Sequence, residues 1–121
     1  PLLQARSKDG GATWKKDELL VDGVMPAIAR LDNGVLAATL GRPGSVLMFS
    51  ADKGRTWGKE ITLVPPDIRT SGYVDMLEVS PNRLLVVYDT FDQPIERFWL
   101  WDPPLKRNII WGVFVDVSKL F

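Results

Sequence analysis

Two eight-residue stretches of this chain carry one pattern. Ser7-Lys8-Asp9-Gly10-Gly11-Ala12-Thr13-Trp14 and Ser50-Ala51-Asp52-Lys53-Gly54-Arg55-Thr56-Trp57 both read S-x-D-x-G-x-T-W, and the second begins at residue 50, 43 residues after the first at residue 7. A period of about 40–45 residues is the length of one four-stranded propeller blade. The pattern also has a local mechanical reading as a hairpin turn. Asp accepts hydrogen bonds from the N–H groups of its own turn, and Gly supplies the positive φ that a reversal needs. Thr and Trp are expected to begin the outgoing strand, with the indole packed beneath the turn.

The rest of the chain reads as strands around these turns. Leu2 to Arg6 is a short extended run into the first turn, Thr13 to Leu20 leaves it, and Val21-Asp22-Gly23 breaks the strand. Pro26 to Leu31 and Val35 to Leu40 flank Asp32-Asn33-Gly34, and Asn-Gly between apolar runs is a strong hairpin signal. Gly41-Arg42-Pro43-Gly44 makes a second reversal, Ser45 to Phe49 enters the second S-x-D-x-G-x-T-W turn, and Thr56 to Val64 leaves it. Val79 to Val86 repeats Leu31 to Ala38 at an offset of 48. Gly72 to Val79 and Arg83 to Tyr88 are therefore expected to pair as the inner strands of a further unit. The unbroken apolar run Leu84 to Val87 suits a strand covered on both faces. Between Thr90 and Arg107, Gln93-Pro94 and Asp102-Pro103-Pro104 signal loops around the apolar island Phe98 to Trp101, and Ile109 to Val117 reads as a third strand. No stretch has sustained helical periodicity.

The expected fold is all-β. It comprises the outer half of a blade at residues 1–23, a complete blade at 24–66 and a last blade lacking its outer strand at 67–121. Composition sets outer limits. Hydrophobic content of 45% with 25% charged residues is that of an ordinary globular chain with a core. Fifteen acidic and fifteen basic residues cancel, so the overall charge points to neither nucleic acid nor an anionic membrane as partner. Cys and His are both absent, which excludes disulfides, His-dependent triads and ordinary zinc sites. No apolar run reaches the roughly 18–20 residues that span a bilayer. An opening on Pro1 rather than Met is expected of a processed or shortened polypeptide.

The repeated octapeptide resembles the Asp-box, or BNR repeat, of the sialidase (neuraminidase) superfamily of β-propellers. That resemblance implies a six-bladed propeller, of which this chain would supply about two and a half antiparallel blades from the C-terminal portion. It also assigns Ser7, Asp9, Gly11, Thr13 and Trp14, with Ser50, Asp52, Gly54, Thr56 and Trp57, to a structural role on the rim. In catalytically active members of the family, three arginines bind the substrate carboxylate, a Tyr paired with a Glu is the nucleophile and an Asp is the acid/base. A neutral phenol attacks an anionic sugar without the repulsion a carboxylate nucleophile would meet, and an adjacent Glu must help remove its proton. Gly72-Tyr73-Val74-Asp75-Met76-Leu77 resembles the segment that carries the nucleophile, with Val74 where the family commonly has Ser. Tyr73 takes the catalytic role by position. Arg42 resembles the third carboxylate-binding arginine, fitted for bidentate pairing, and Asp89 stands where the family carries an acid that orients another arginine. Asp75 and Glu78 alternate with apolar residues and are read as facing a wet central channel or the substrate. Trp99 and Trp101 are read as loop anchors or a sugar platform.

The resemblance thus implies hydrolysis of a terminal sialic acid or related acidic sugar, once the missing blades supply the remaining groups. No cofactor and no metal is implied. The expected partner is a carbohydrate, not nucleic acid or membrane, and open blade edges would permit self-association. The alternative is a non-catalytic Asp-box propeller that binds glycans or proteins. Family members are often secreted or periplasmic; the residues themselves do not speak to compartment.

Overall fold

A computed structural model describes residues 2–18, 21–91 and 108–121. They form three antiparallel sheets and no α-helix. Strands β1 (Leu3–Arg6) and β2 (Lys15–Glu18) make the first sheet. The second is a four-stranded meander of β3 (Val24–Arg30), β4 (Leu36–Gly41), β5 (Ser45–Ser50) and β6 (Gly58–Val64), paired in chain order. The third pairs β7 (Asp75–Ser80), β8 (Arg83–Phe91) and β9 (Asn108–Asp116), and a single 3₁₀ turn, Val117–Lys119, follows. Trp99, Trp101 and the loop signals around them lie outside the described residues, as do Leu19 and Leu20.

The two octapeptides fold into the same turn. In the first, the Ser7 hydroxyl donates to Asp9 Oδ1 (2.8 Å) and accepts from the Gly11 N–H (2.8 Å). Asp9 Oδ1 also accepts from the Thr13 N–H (2.8 Å), and Oδ2 accepts from the Thr13 hydroxyl. Ser50, Asp52, Gly54 and Thr56 repeat every one of these bonds at 2.6–2.9 Å. Gly11 and Gly54 have φ of +95° and +77°, a region where a Cβ is strained. Because Thr13 and Thr56 are spent on the aspartate, the outgoing strands start later than the pattern suggested, at Lys15 and Gly58.

Asp32-Asn33-Gly34 is a hairpin loop, as the Asn-Gly pair signals. The Gly34 N–H donates to the Leu31 carbonyl (2.9 Å) and the Leu31 N–H to the Val35 carbonyl (2.8 Å), with Gly34 at φ +86°. That is the three-residue loop with a glycine bulge rather than a two-residue turn.

The sheets stack face to face in a blade-like arrangement, and alternation along each strand sends side chains to both interfaces. From β4 and β5, Ala37, Leu47 and Phe49 meet Leu84, Val86 and Val74 of the third unit. Ala38, Leu40 and Met48 turn the other way, against Leu2, Val21 and Trp57. Leu47, Leu84 and Val86 are fully buried, and each such side chain contributes roughly 1.5–3 kcal/mol of transfer free energy. Behind the 3₁₀ turn, Phe121 meets Phe49 edge-on, 6.0 Å between centroids. β3 and β7, the first strands of their sheets, lie side by side.

Among the described residues only the middle sheet is covered on both faces. The expectation that Leu84 to Val87 would be covered on both is corrected here. Leu84 and Val86 are buried, whereas Val87 is 40% exposed because no described element lies beyond the third sheet.

Candidate functional site

Three residues singled out from the sequence meet at one end of the strands. Tyr73, Asp75 and Asp89 line an open cleft of about 730 Å³, with Met25, Pro26 and Ile110 among the apolar residues around them. Register explains the meeting. Asp75 is the first residue of β7 and pairs with Val87, two residues before Asp89 on β8. Across the cleft, the pairing of β3 with β4 slips between Val24 and Ala27, and Met25 sits there at φ +51°. Such an irregularity re-aims side chains at a sheet edge and tolerates Pro26.

The segment before β7 is pinned rather than extended. The Phe91 N–H donates to the Arg69 carbonyl (2.9 Å), and the Gly72 N–H donates to Thr70 Oγ1 (2.8 Å). Asp89, nearly buried, accepts at Oδ1 from the Ser71 N–H (3.0 Å) and the Ser71 hydroxyl (2.7 Å). Ser71 Oγ in turn accepts from the Tyr73 N–H (3.2 Å). Gly72 adopts φ +87°, so β7 begins at Asp75 and not at Gly72. Among the described residues Asp89 therefore orients Ser71, and through it the Tyr73 backbone, not an arginine.

Tyr73 is 62% exposed, and its hydroxyl hydrogen-bonds to no described residue. Asp75 is exposed, and its carboxylate accepts from the Met76 N–H (2.8 Å). Arg42 is close by without lining the cleft. Its side chain lies on the Gly72 backbone, where an added Cβ would stand 2.8 Å from Arg42 Nε, and a Cβ on Gly41 would run into Gly72 itself. The Arg42 backbone has φ +45°, with its N–H donating to the Gly44 carbonyl (3.0 Å). Two glycines thus let the β4–β5 turn and the strand-leading segment touch, and this sets a guanidinium next to the residue before Tyr73. Arg69 is a further cation of this segment; it is buried, and Nη1 and Nη2 have no hydrogen-bond partner among the described residues.

Glu78 lies elsewhere and does something else. Its carboxylate accepts from the Asp32 N–H (2.7 Å) and the Asn82 N–H (3.0 Å), while Asn33 Nδ2 donates to Asn82 Oδ1 (3.1 Å). The turns of the second and third sheets are stitched together there, at the end of the strands opposite the cleft. Ser71 was missed from the sequence. Ser-Gly flags a turn, but nothing local indicates an acceptor 18 residues away.

Chemically the cleft offers a free phenol, a wet carboxylate, a hydrogen-bonded acid that holds the backbone, and apolar walls. These suit a ligand with hydroxyls on one edge and C–H surface on its faces. No three His, Cys, Asp or Glu side chains group into a metal site among the described residues, and no helix there is long and apolar enough to cross a membrane. Comparison of the chain with protein-family models, curated proteins and solved structures finds no match.

Proposed function

We propose that this chain is part of a sialidase-like β-propeller and that the Tyr73 cleft receives a terminal acidic sugar. One observation carries the reading. Tyr73, Asp75 and Asp89 share one cleft, with Arg42 against the adjoining glycine, at the end of the strands away from both Asp-box turns. In this reading Tyr73 is the nucleophile, Arg42, beside the cleft, a carboxylate ligand, Asp75 a sugar-hydroxyl acceptor, and Asp89 the residue that holds the Tyr73 segment in place. On this reading the sheets of two, four and three strands are the outer half of one blade, a complete blade and a blade lacking its outer strand. The six-bladed ring would be closed by blades from a longer polypeptide. Those blades would supply the acid/base, the base for the phenol and further arginines.

A second reading has its own support. No carboxylate hydrogen-bonds to the Tyr73 hydroxyl among the described residues, so nothing described lowers the barrier to its deprotonation. A propeller with that phenol unassisted binds glycans without cleaving them. Turnover separates the two. A polypeptide carrying this chain and the remaining blades is expected to release sialic acid from a reporter glycoside, and Tyr73→Phe is expected to lose most of that rate. Unchanged turnover in Tyr73→Phe removes Tyr73 from the reaction. Tight glycan binding with no turnover in the native sequence establishes the second reading instead.

A further inference from the structure

The opposite end of the strands carries a second cleft, between the two Asp-box turns. It has a volume of about 560 Å³ and is lined by Arg6, Lys8, Lys15 and Arg55, with Trp14 and the hydroxyl residues Ser7 and Thr13. Four cations and, among the described residues, no carboxylate residue line it. We propose that this cleft binds a sulfated oligosaccharide, one sugar ring lying on the Trp14 indole and its anionic groups meeting the surrounding cations.

The indole is prepared for that role. Trp14 is 66% exposed, and its Nε1–H is held by the carbonyl of Gly11 in its own turn (3.0 Å). The ring is thus fixed with a bare face, which reduces the ordering cost of binding. Its counterpart in the second turn is differently placed. Trp57 donates to Gln4 Oε1 (3.0 Å) and packs in the cluster around Met48. No described residue does for Trp14 what Gln4 does for Trp57.

The cations divide into two kinds. Arg6 is committed to structure, since Nη1 donates to the Lys53 carbonyl (2.7 Å) and Nη2 to that of Gly54. It ties the first sheet to the second turn and so sets the width of the cleft. Lys8, Lys15 and Arg55 are exposed and form no ion pair among the described residues. Asp9, in the turn beside the cleft, has both oxygens turned into its own loop by Ser7 and Thr13. A sugar is favoured over a nucleic-acid strand because strand binding uses a succession of aromatic platforms, and Trp14 is the sole aromatic among the described residues lining this cleft.

The test is calorimetric titration of the full chain with a heparin-type hexasaccharide at low and at physiological salt. A neutral maltohexaose and a short oligothymidylate serve as comparators. Binding is expected for the sulfated hexasaccharide, weakening with salt because the contacts are exposed, and not for maltohexaose. Lys8→Gln, Lys15→Gln and Arg55→Gln are each expected to weaken binding by about fivefold. Trp14→Ala is expected to cost about fivefold or more, with Trp14→Phe recovering part of it. Circular dichroism establishes that each variant is folded. Tyr73→Phe and Arg42→Ala are expected to bind as the native chain does, so this site stands or falls apart from the Tyr73 cleft. Absence of binding, equal affinity for maltohexaose, oligothymidylate affinity as high as that of the hexasaccharide, or indifference to the three charge substitutions would each overturn the proposal.

Discussion

Asp9 and Asp52 do the same work in two turns, and their protonation reports on it. Both carboxyls are held below the ordinary value of 3.8, first by the threonine hydroxyl, then by the threonine N–H and the serine hydroxyl. Asp9 comes down to about 2 and Asp52 lower still. The sign follows from linkage. A carboxyl with a lower pKa folded than unfolded stabilises the fold fully above about pH 4. That contribution disappears as pH falls through the folded value. The difference in urea midpoint between the native chain and Asp9→Asn is therefore expected to be constant from pH 6 to about pH 4, and to shrink as pH approaches 2. For Asp52→Asn the difference should persist to lower pH. A difference that grew on acidification would contradict the assigned hydrogen bonds.

At the level of strands and turns, the second S-x-D-x-G-x-T-W turn is also a joint between sheets. Gln4 Nε2 donates to the Gly54 carbonyl (2.8 Å) while its Oε1 accepts from Trp57, and Arg6 reaches the Lys53 and Gly54 carbonyls from the same strand. Two alternate side chains of β1 thus satisfy a turn about 50 residues away, and Leu2 and Val21 close the apolar seam beside them. The double substitution Gln4→Leu/Arg6→Met leaves the Gly54 carbonyl and the Trp57 indole without these partners. It is expected to raise hydrogen exchange in β1 and β2 by at least about tenfold, since a net hydrogen bond is worth about 1 kcal/mol and two or more are lost. Amides of β7–β9 should exchange as before. Uniform acceleration across all three sheets would mean that the first sheet unfolds only with the rest.

For the molecule as a whole, the stack of sheets ends, among the described residues, in an apolar surface. On the outward face of the third sheet Leu77 is 64% exposed, Ile110 72% and Phe114 58%, and Arg83 lies over the Phe114 ring at 4.2 Å. A contiguous patch of this kind promotes association. Ile110→Lys with Leu77→Lys is expected to lower the apparent mass in light scattering at high protein concentration. The melting temperature should change little, because neither side chain is buried. An unchanged mass distribution would show that this face does not drive association. The balance of fifteen acids against fifteen bases gave no hint of the opposite situation at the end carrying the two repeated turns, where folding gathers Arg6, Lys8, Lys15 and Arg55 into one cleft.

What the residues disclosed in advance were the features closed within a few positions. The bonds within each S-x-D-x-G-x-T-W turn span two to four residues, the Asn-Gly loop is complete between Leu31 and Val35, and period-two alternation marked the strands. Their energetics are local, so their sequence pattern suffices. The site's composition was partly legible, since Tyr73, Asp75 and Asp89 were named and do converge. Their relations were not. Asp89 finds Ser71 18 residues away, Glu78 finds Asp32 46 away, and Trp57 finds Gln4 53 away. Such partners are chosen by strand register and by which sheet faces pack together. A side chain reveals what it can donate or accept, and only the packed sheets decide from whom.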